Sequence, residues 1–267
     1  MGIRSAPAVV LAACIWLSFS QGAFAQDEPR SLYQVSTIGA LMQGIFEGDV
    51  TCGEVKKHGD FGIGTLNGLD GELILLEGVF YQVRPDGKVY SVHDSTDTPF
   101  VCVVPFGSGS QATVPAGTNF KELQDIIEGH LPTPNKIYAI RVTGTFKTVT
   151  TRSVTRQTPP YPTLPEAVDN QTVFDLNQTR GTFVGFYFPE FMGALNVPGF
   201  HFHYLNEEKS AGGHVLDCLT EEVTAEIMPI DDFRMRLLDN TMFRQAVLSP
   251  HNKADLEKAE QMTGSAS

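Results

Sequence analysis

The sequence predicts an α+β fold in which strands dominate, arranged in two sheet-containing domains with a few short helices. Glycine and proline are plentiful, with 25 and 16 residues in a chain of 267. Residues of these two types mark turns, so the chain is divided into many short segments, as is typical of strands rather than of a helical bundle. Few of the apolar segments between the turns carry helical spacing.

Each element is predicted from its own pattern. Apolar residues at helical spacing predict a helix from Tyr33 to Phe46, capped by Ser36 or Thr37. Thr118 is expected to cap a second helix, and Pro165 to begin a third. These two helices cover 119–130 and 165–176. Strands are predicted over 72–77, 79–83, 89–92, 100–106, 137–149, 182–188, 200–205, 214–219, 225–230 and 233–238.

Composition marks two boundaries in the chain, the end of a predicted signal peptide and the start of the second predicted domain. Residues 1–25 combine a positive charge, an apolar run and small residues at Ala23 and Ala25, the pattern of a signal peptide cleaved near Ala25. The protein is therefore expected to be secreted or periplasmic. Four prolines in the segment 158–165 predict a linker between an N-terminal mixed β-sheet domain with helices, 26–157, and a C-terminal β-rich metal-binding domain, 158–267. A rigid loop inside one domain is the alternative. The tail of the second domain is expected to fold back to the site.

Charge and cysteine content limit the partners and the covalent structure. The net charge of −12 argues against nucleic acid and anionic membrane surfaces as partners. Cys52, Cys102 and Cys218 remain after the predicted cleavage, so at most one intrachain disulfide can form. Buried free thiols are equally compatible with the sequence.

The segment GFHFHYLNEEKSAGGH, 199–214, contains three of the seven histidines. Side chains alternate between the faces of a strand, so His201 and His203 share one face while the aromatic residues between them take the other. The polar segment from Asn206 to Gly213 is typical of a hairpin, and a turn centred between Glu208 and Lys209 sets His214 opposite His203. Three imidazoles at one point suit zinc or a similar divalent metal. A polar strand face with internally bonded histidines is the alternative.

Several segments carry a resemblance to one enzyme family. They are STIGALM (36–42), HGDFGIGTLNGLDGEL (58–73), GTFKTVTTRSV (144–154), PPYPTL (159–164) and GFHFHYLNEEKSAGGHVLDC (199–218). Together they resemble the α-acetolactate decarboxylases, in the right order and over most of the chain that follows the predicted signal peptide. The resemblance implies decarboxylation of 2-acetolactate to acetoin and CO2, usually with zinc, by a homodimer whose subunits contain two sheet-bearing domains.

The resemblance also implies roles for particular residues. The metal ligands would be His201, His203 and His214. The catalytic residues would be Glu72, Arg152 and a glutamate of the C-terminal tail. Glu260 is favoured over Glu257 as that glutamate. The metal would chelate the hydroxyl and ketone oxygens and stabilise an enediolate. A carboxyl group such as Glu72 is suited to move the proton, because the arginine stays charged. Thr65 is a candidate for the pocket wall.

Two other functions remain compatible with the histidine pattern. One is a secreted zinc hydrolase that acts through zinc-bound hydroxide. The other is a non-enzymatic periplasmic module that binds a metal. The remaining histidines, His58, His93, His130 and His251, have no such neighbours in the sequence and are predicted to be surface or structural residues.

Overall fold

The computed structural model describes residues 1–2, 30–248 and 253–260. Most of the predicted signal peptide and His251 therefore lie outside the described residues. Within the described part of the chain, no helix is both long and apolar enough to cross a membrane.

Strands make up most of the fold, as predicted. Their bounds are β1 Ser31–Val35, β2 Val50–Thr51, β3 Phe61–Thr65, β4 Glu72–Leu76, β5 Val79–Val83, β6 Val89–Ser91, β7 Asp97–Thr98, β8 Phe100–Val104, β9 Ser110–Val114, β10 Tyr138–Ser153, β11 Thr172–Phe188, β12 Gly199–Asn206, β13 Gly212–Pro229 and β14 Asp232–Arg236.

Two sheets contain nearly all of these strands. The first has seven strands in the order β14-β1-β8-β3-β4-β5-β6, and the second has five in the order β10-β11-β12-β13-β9. Only β1 and β14 pair in parallel in the first sheet. In the second sheet β10 also pairs with β13, so β10 to β13 close into a ring. β2 and β7 form a separate pair.

The helices are short. They are α1 Ile38–Met42, α2 Cys52–Val55, α3 Phe120–Gly129, α4 Leu164–Val168, α5 Thr241–Gln245 and α6 Lys253–Glu260. The predicted cap Thr37 accepts a hydrogen bond from the Ala40 amide at the start of α1. The cap predicted for α3 is wrong by one residue, since Asn119 forms a capping box with Glu122.

Two helix predictions are too long. Residues 33–35 of the predicted first helix belong to strand β1, because β1 pairs with β8 and β14, partners that are distant in the sequence. The helix that begins near Pro165 ends at Val168, and Thr172 already opens β11, which runs along β10. In both places long-range pairing overrides local spacing.

The chain passes from one sheet to the other at points other than the predicted linker. It passes from the first sheet to the second between Val104 and Ser110, and returns to the first between Pro229 and Asp232. The proline-rich segment 158–165 connects β10 to β11, two paired strands of the same sheet. The division of the chain into domains at 157/158 stays a prediction.

Three apolar cores hold the elements that build the site. One lies between the second sheet and α3 and includes Phe183 and Phe202. A second joins the two sheets and includes Phe61 and Phe186. A third gathers α1, α4 and α6 and includes Leu256. The candidate site lies where the sheets and the third core meet.

Candidate active site

The three histidines of the segment 199–214 converge in the structure. β12 and β13 pair with His203 directly opposite His214, which confirms the predicted register. His201 lies two residues away on the same face of β12, and its Nε2 is 3.1 Å from Nδ1 of His214. One ring nitrogen from each of the three residues lies within 4.8 Å of the others.

Hydrogen bonds to carbonyl oxygens fix the tautomers of two of these rings. A carbonyl only accepts, so Nδ1 of His203 donates to Leu73 O at 3.0 Å and Nε2 of His214 donates to Glu260 O at 2.8 Å. Each ring in its neutral form then presents its other nitrogen to the centre of the cluster. Such outer hydrogen bonds are the usual way to orient metal-binding imidazoles.

Burial keeps the three imidazoles neutral. It lowers the pKa of His201 from 6.5 to about 3, with a smaller contribution from the charge of Arg152. The pKa values of His203 and His214 are lowered well below 6.5, again chiefly by burial. Neutral imidazole is the form that binds a metal.

Two carboxyl groups border the histidines. Glu72 Oε2 lies 3.4 Å from His203 Nε2, and Glu260 Oε2 lies 3.5 Å from His201 Nε2. Burial raises the pKa of Glu72 to about 7, an effect that Arg152 opposes and Glu260 adds to. Burial also raises the pKa of Glu260, again opposed by Arg152. The two acids therefore hold protons more readily than exposed glutamates do.

Arg152 supplies a positive charge at the same place. It lies on β10 directly opposite His214 and is only 4% exposed. Its Nη2 donates to Ala259 O at 2.7 Å, and its Nη1 is 4.0 Å from Glu72 Oε1. The guanidinium thus faces both acids and has donors available for an anion.

Glu72 is placed by a tight turn that joins β3 to β4. Thr65 ends β3 opposite Glu72, which begins β4, and the Thr65 hydroxyl donates to Gly71 O at 2.8 Å. Gly71 has φ +74, and a Cβ there would lie 2.2 Å from Val83 O. Only glycine fits this position, so the motif LDGEL fixes where the carboxyl group enters the site.

All these side chains line one small cavity of about 40 Å³. Its polar wall consists of Thr65, Glu72, Arg152, His201, His203, His214 and Glu260, and its apolar wall includes Ile38, Leu41, Leu69, Phe100 and Leu164. A wider cavity of about 430 Å³ lies beside α3 and shares His201, His214 and Glu260 with the first. The Glu260 side chain therefore borders both spaces.

The cluster fits a divalent cation on two observations. The 3.1 Å between nitrogens of His201 and His214 is close to the roughly 3.0–3.4 Å that separates two ligands of one ion at about 2.1 Å. Glu260 Oε2 is buried without a hydrogen-bond partner although it faces His201, and a buried polar atom of this kind requires a compensating group. Three neutral imidazoles and a carboxylate are ligands suited to zinc.

Comparison with known proteins decides the family. The model of the alpha-acetolactate decarboxylase family matches residues 32–250. The chain belongs to this family. The predicted membership and the predicted class of enzyme, a carboxy-lyase, are thereby confirmed.

Similar proteins come from several organisms. An alpha-acetolactate decarboxylase of Methanosarcina mazei is 43% identical over 86% of this chain and 80% of its own length. One of Methylococcus capsulatus is 40% identical over 87% of this chain and 90% of its own length. The crystal structure of the Bacillus subtilis strain 168 enzyme superposes with a TM-score of 0.84 and 38% identity, covering 86% of this chain and 99% of that one. The predicted strand-dominated fold is confirmed by this likeness.

The structure brings together every site residue that the sequence predicted. His201, His203, His214, Glu72, Arg152, Glu260 and Thr65 all line the small cavity. The side chain of Glu257, the second tail candidate, is outside the described part of the structure. The roles of these residues stay predictions, because proximity alone assigns no role.

The remaining described histidines lie apart from the cluster. His58 stacks on Tyr33 with ring centroids 3.9 Å apart, and His93 Nδ1 contacts the Ser95 hydroxyl at 2.8 Å. His130 Nδ1 donates to Ile126 O within its own helix. These contacts agree with the predicted surface or structural roles.

The sequence predicts that the tail folds back to the site, but neither the apolar wall nor the apolar face by which α6 packs is among its predictions. The apolar residues of the wall come from α1, α4, β8 and the loop between β3 and β4, so no local pattern joins them. Leu256, Ala259 and Glu260 stand at i, i+3 and i+4, a spacing that marks one face of a helix. That spacing was the available signal for a tail helix packed on the protein.

The three described cysteines are buried free thiols. Burial raises the pKa of each to about 12, so they are unreactive at neutral pH. Of the two possibilities left by the sequence, the described residues show the free thiols.

Proposed function

We propose that this protein decarboxylates 2-acetolactate to acetoin and CO2 with a divalent cation held by His201, His203 and His214. One observation carries the proposal. The three imidazoles, two carboxyl groups of raised pKa and one arginine line a single buried cavity. Loss of CO2 from a 2-hydroxy-3-keto acid leaves two electrons that must be stabilised and a carbon that must gain a proton, and these groups match both needs.

The cation would supply Lewis-acid stabilisation of the negative charge that develops on the substrate oxygens. His203 and His214 are oriented for this by their bonds to Leu73 O and Glu260 O. Glu260 Oε2, unpaired and facing His201, offers a further oxygen on the same side. We propose Zn2+ as the ion, since imidazole nitrogen and carboxylate oxygen are its common ligands.

Arg152 binds and orients the substrate in this proposal. Its planar guanidinium suits a carboxylate, and its charge is permanent. The bond from Nη2 to Ala259 O fixes one edge of the guanidinium and leaves other donors free to face the cavity. Its proximity also lowers the cost of ionising Glu72 and Glu260.

Glu72 is the proposed proton carrier. Burial raises the pKa of its carboxyl group to about 7 in the metal-free protein, and a carboxyl group that holds a proton more readily than an exposed glutamate suits general acid–base catalysis. The proton held on its carboxyl oxygens can pass to the carbon that loses CO2. The apolar wall keeps water from that carbon and from the charged groups.

Two further parts of the proposal rest on the sequence and the family. We infer that residues 1–25 direct export and are removed near Ala25, which N-terminal sequencing of secreted protein checks. We also infer a homodimer, which sedimentation equilibrium checks.

The central test measures products and metal together. Purified protein is assayed for metal content and for acetoin and CO2 formed from 2-acetolactate, before and after chelation and again after Zn2+ is restored. The expected result is about one metal per chain, acetoin formation that is lost on chelation, and recovery with Zn2+. Absence of acetoin with turnover of esters would instead favour a zinc hydrolase. A bound metal without any turnover would favour a binding module.

A further inference from the structure

The C-terminal helix α6 reaches the site by means of its last residues. Leu256 and Ala259 are 5% and 2% exposed, whereas Asp255 and Lys258 face solvent. One face of the helix is therefore packed on the protein, and Glu260 at its end enters the cavity.

Leu256 packs in a buried cluster that also forms the wall of the cavity. We call it the tail-docking cluster. Its other buried members are Ile38, Leu41, Met42, Phe46, Leu69, Phe100, Val154, Leu164, Ala167, Val168, Val197 and Ala259. Five of them, Ile38, Leu41, Leu69, Phe100 and Leu164, also line the small cavity. The surface on which α6 packs is therefore the outer side of the apolar wall of the site.

Polar contacts alone do not fix the helix. The carbonyl oxygens of Ala259 and Glu260 accept from Arg152 and His214, but only once the helix end is already in place. Lys258 pairs with Asp169 at 2.8 Å between exposed side chains, and such pairs contribute little. An eight-residue helix is also marginal without tertiary packing. Leu256 supplies a buried apolar contact of α6 that does not involve the polar groups of the site.

We propose that Leu256 is a positioning residue that holds the Glu260 carboxyl group in the site by anchoring α6 in the tail-docking cluster. The inference rests on the proposed function for its activity readout only. Leu256 does not line the cavity, so its effect has to pass through the residues at the end of the helix. Replacement by a charged residue should release the helix end, while replacement by methionine should keep it docked.

The test is a double-mutant cycle on the full chain, loaded with Zn2+. Leu256→Asp should lower kcat at least about 30-fold, because a charge cannot be buried unpaired in an apolar cluster. In the Glu260→Gln background the same change should add less than about threefold, because both act on the same interaction. Leu256→Met should stay within about threefold of the unchanged protein. Asp255→Asn, on the exposed face of the same helix, should leave kcat unchanged.

A second readout needs no turnover. The Zn2+ dissociation constant is measured by competition with a chromophoric chelator for Leu256→Asp, Glu260→Gln and His203→Ala. Release of the tail predicts that Leu256→Asp weakens Zn2+ binding by the same factor as Glu260→Gln. A loss as large as that of His203→Ala would mean that the histidine cluster itself has collapsed, which overturns the positioning role. The positioning role is also overturned if Glu260→Gln weakens Zn2+ binding while Leu256→Asp leaves it unchanged. It is overturned as well if the kcat losses of Leu256→Asp and Glu260→Gln multiply in the double variant. If the protein does not turn over acetolactate at all, the proposed function fails while this binding measurement still decides the role of Leu256.

Discussion

The histidine cluster shows what a short spacing in a sequence can determine. Alternation along β12 and a hairpin to β13 were enough to predict that His203 faces His214. The cluster needs no contact between distant segments, so local rules suffice. Glu72 and Arg152 are different, because they lie on strands of different sheets and only the family resemblance joined them.

The histidine cluster leads to a prediction about metal affinity. His203→Ala removes a ligand that is buried and oriented by Leu73 O, so the affinity for Zn2+ should fall at least about 100-fold. Isothermal titration of metal-free protein measures this loss. His93→Ala is the matched control, because His93 is exposed and bonds only within its own turn. Equal affinities for the two variants would contradict the assignment of His203 as a ligand.

Glu72 leads to a prediction about stability and pH. Its pKa is raised from 4.5 in the unfolded chain to about 7 in the folded protein, so the folded state binds this proton more tightly. The stabilisation from this group is complete below pH 4.5 and is lost as the pH rises through about 7, a change of about 3 kcal/mol. In metal-free protein, the unfolding free energy of Glu72→Gln should therefore rise relative to that of the unchanged protein as the pH increases from 4.5 to about 7.

The measurement for Glu72 is urea unfolding after chelation, at several values between pH 4 and pH 8. The buried histidines also titrate in this range, but they are present in both proteins, so the difference retains only their coupling to Glu72, which His203 contacts. A difference that stays constant from pH 4.5 to pH 7 would show that burial does not raise the pKa of Glu72.

At the scale of the elements, the wrong predictions have a common cause. The predicted first helix begins at Tyr33, but Ser31–Val35 forms a strand because it pairs with β14 about two hundred residues later. Residues 172–176 follow a short helix but join β11 because β10 lies beside them. Local propensity is weak against pairing of this kind, and a single sequence does not show which distant strands pair. The strands flanked by clear turns, such as β4 and β5, were predicted closely.

The start of β13 carries a backbone constraint that can be tested. Gly213 precedes His214 with φ +134, and a Cβ there would lie 2.5 Å from Arg152 O. Gly213→Ala should therefore cost strain and also push β13 away from β10. Gly117→Ala is a matched control, because its φ is +80 but nothing lies within 4 Å of an added Cβ. We expect the loss in unfolding free energy to be larger for Gly213→Ala by about 2 kcal/mol.

Urea unfolding of both glycine variants measures that difference. Gly213→Ala should also weaken Zn2+ binding, because it moves His214 relative to the other two histidines, whereas Gly117→Ala should not. Similar unfolding free energies and similar affinities in the two variants would show that β13 accommodates a side chain next to His214.

At the scale of the whole molecule, the site is divided between two sheets. The three histidines and Arg152 stand on the second sheet, while Thr65 and Glu72 stand on the first. The bond from His203 Nδ1 to Leu73 O crosses between them, and the core around Phe61 and Phe186 packs them together. The proposed metal binding thus depends mainly on one sheet, whereas the proposed proton transfer by Glu72 depends on how the two sheets are packed.

Two phenylalanines of β11 separate these contributions. Phe186 and Phe183 are both fully buried, but they lie on opposite faces of the strand. Phe186 packs against Phe61 of the first sheet, and Phe183 stacks on Phe146 within the second. Replacement of either phenylalanine by leucine should lower the unfolding free energy by roughly 1–2 kcal/mol. At 25 °C, Phe186→Leu should lower kcat at least about fivefold and Phe183→Leu less than about twofold, with the same Zn2+ affinity in both. Equal kcat values at equal stability would mean that the packing between the sheets does not set the position of Glu72.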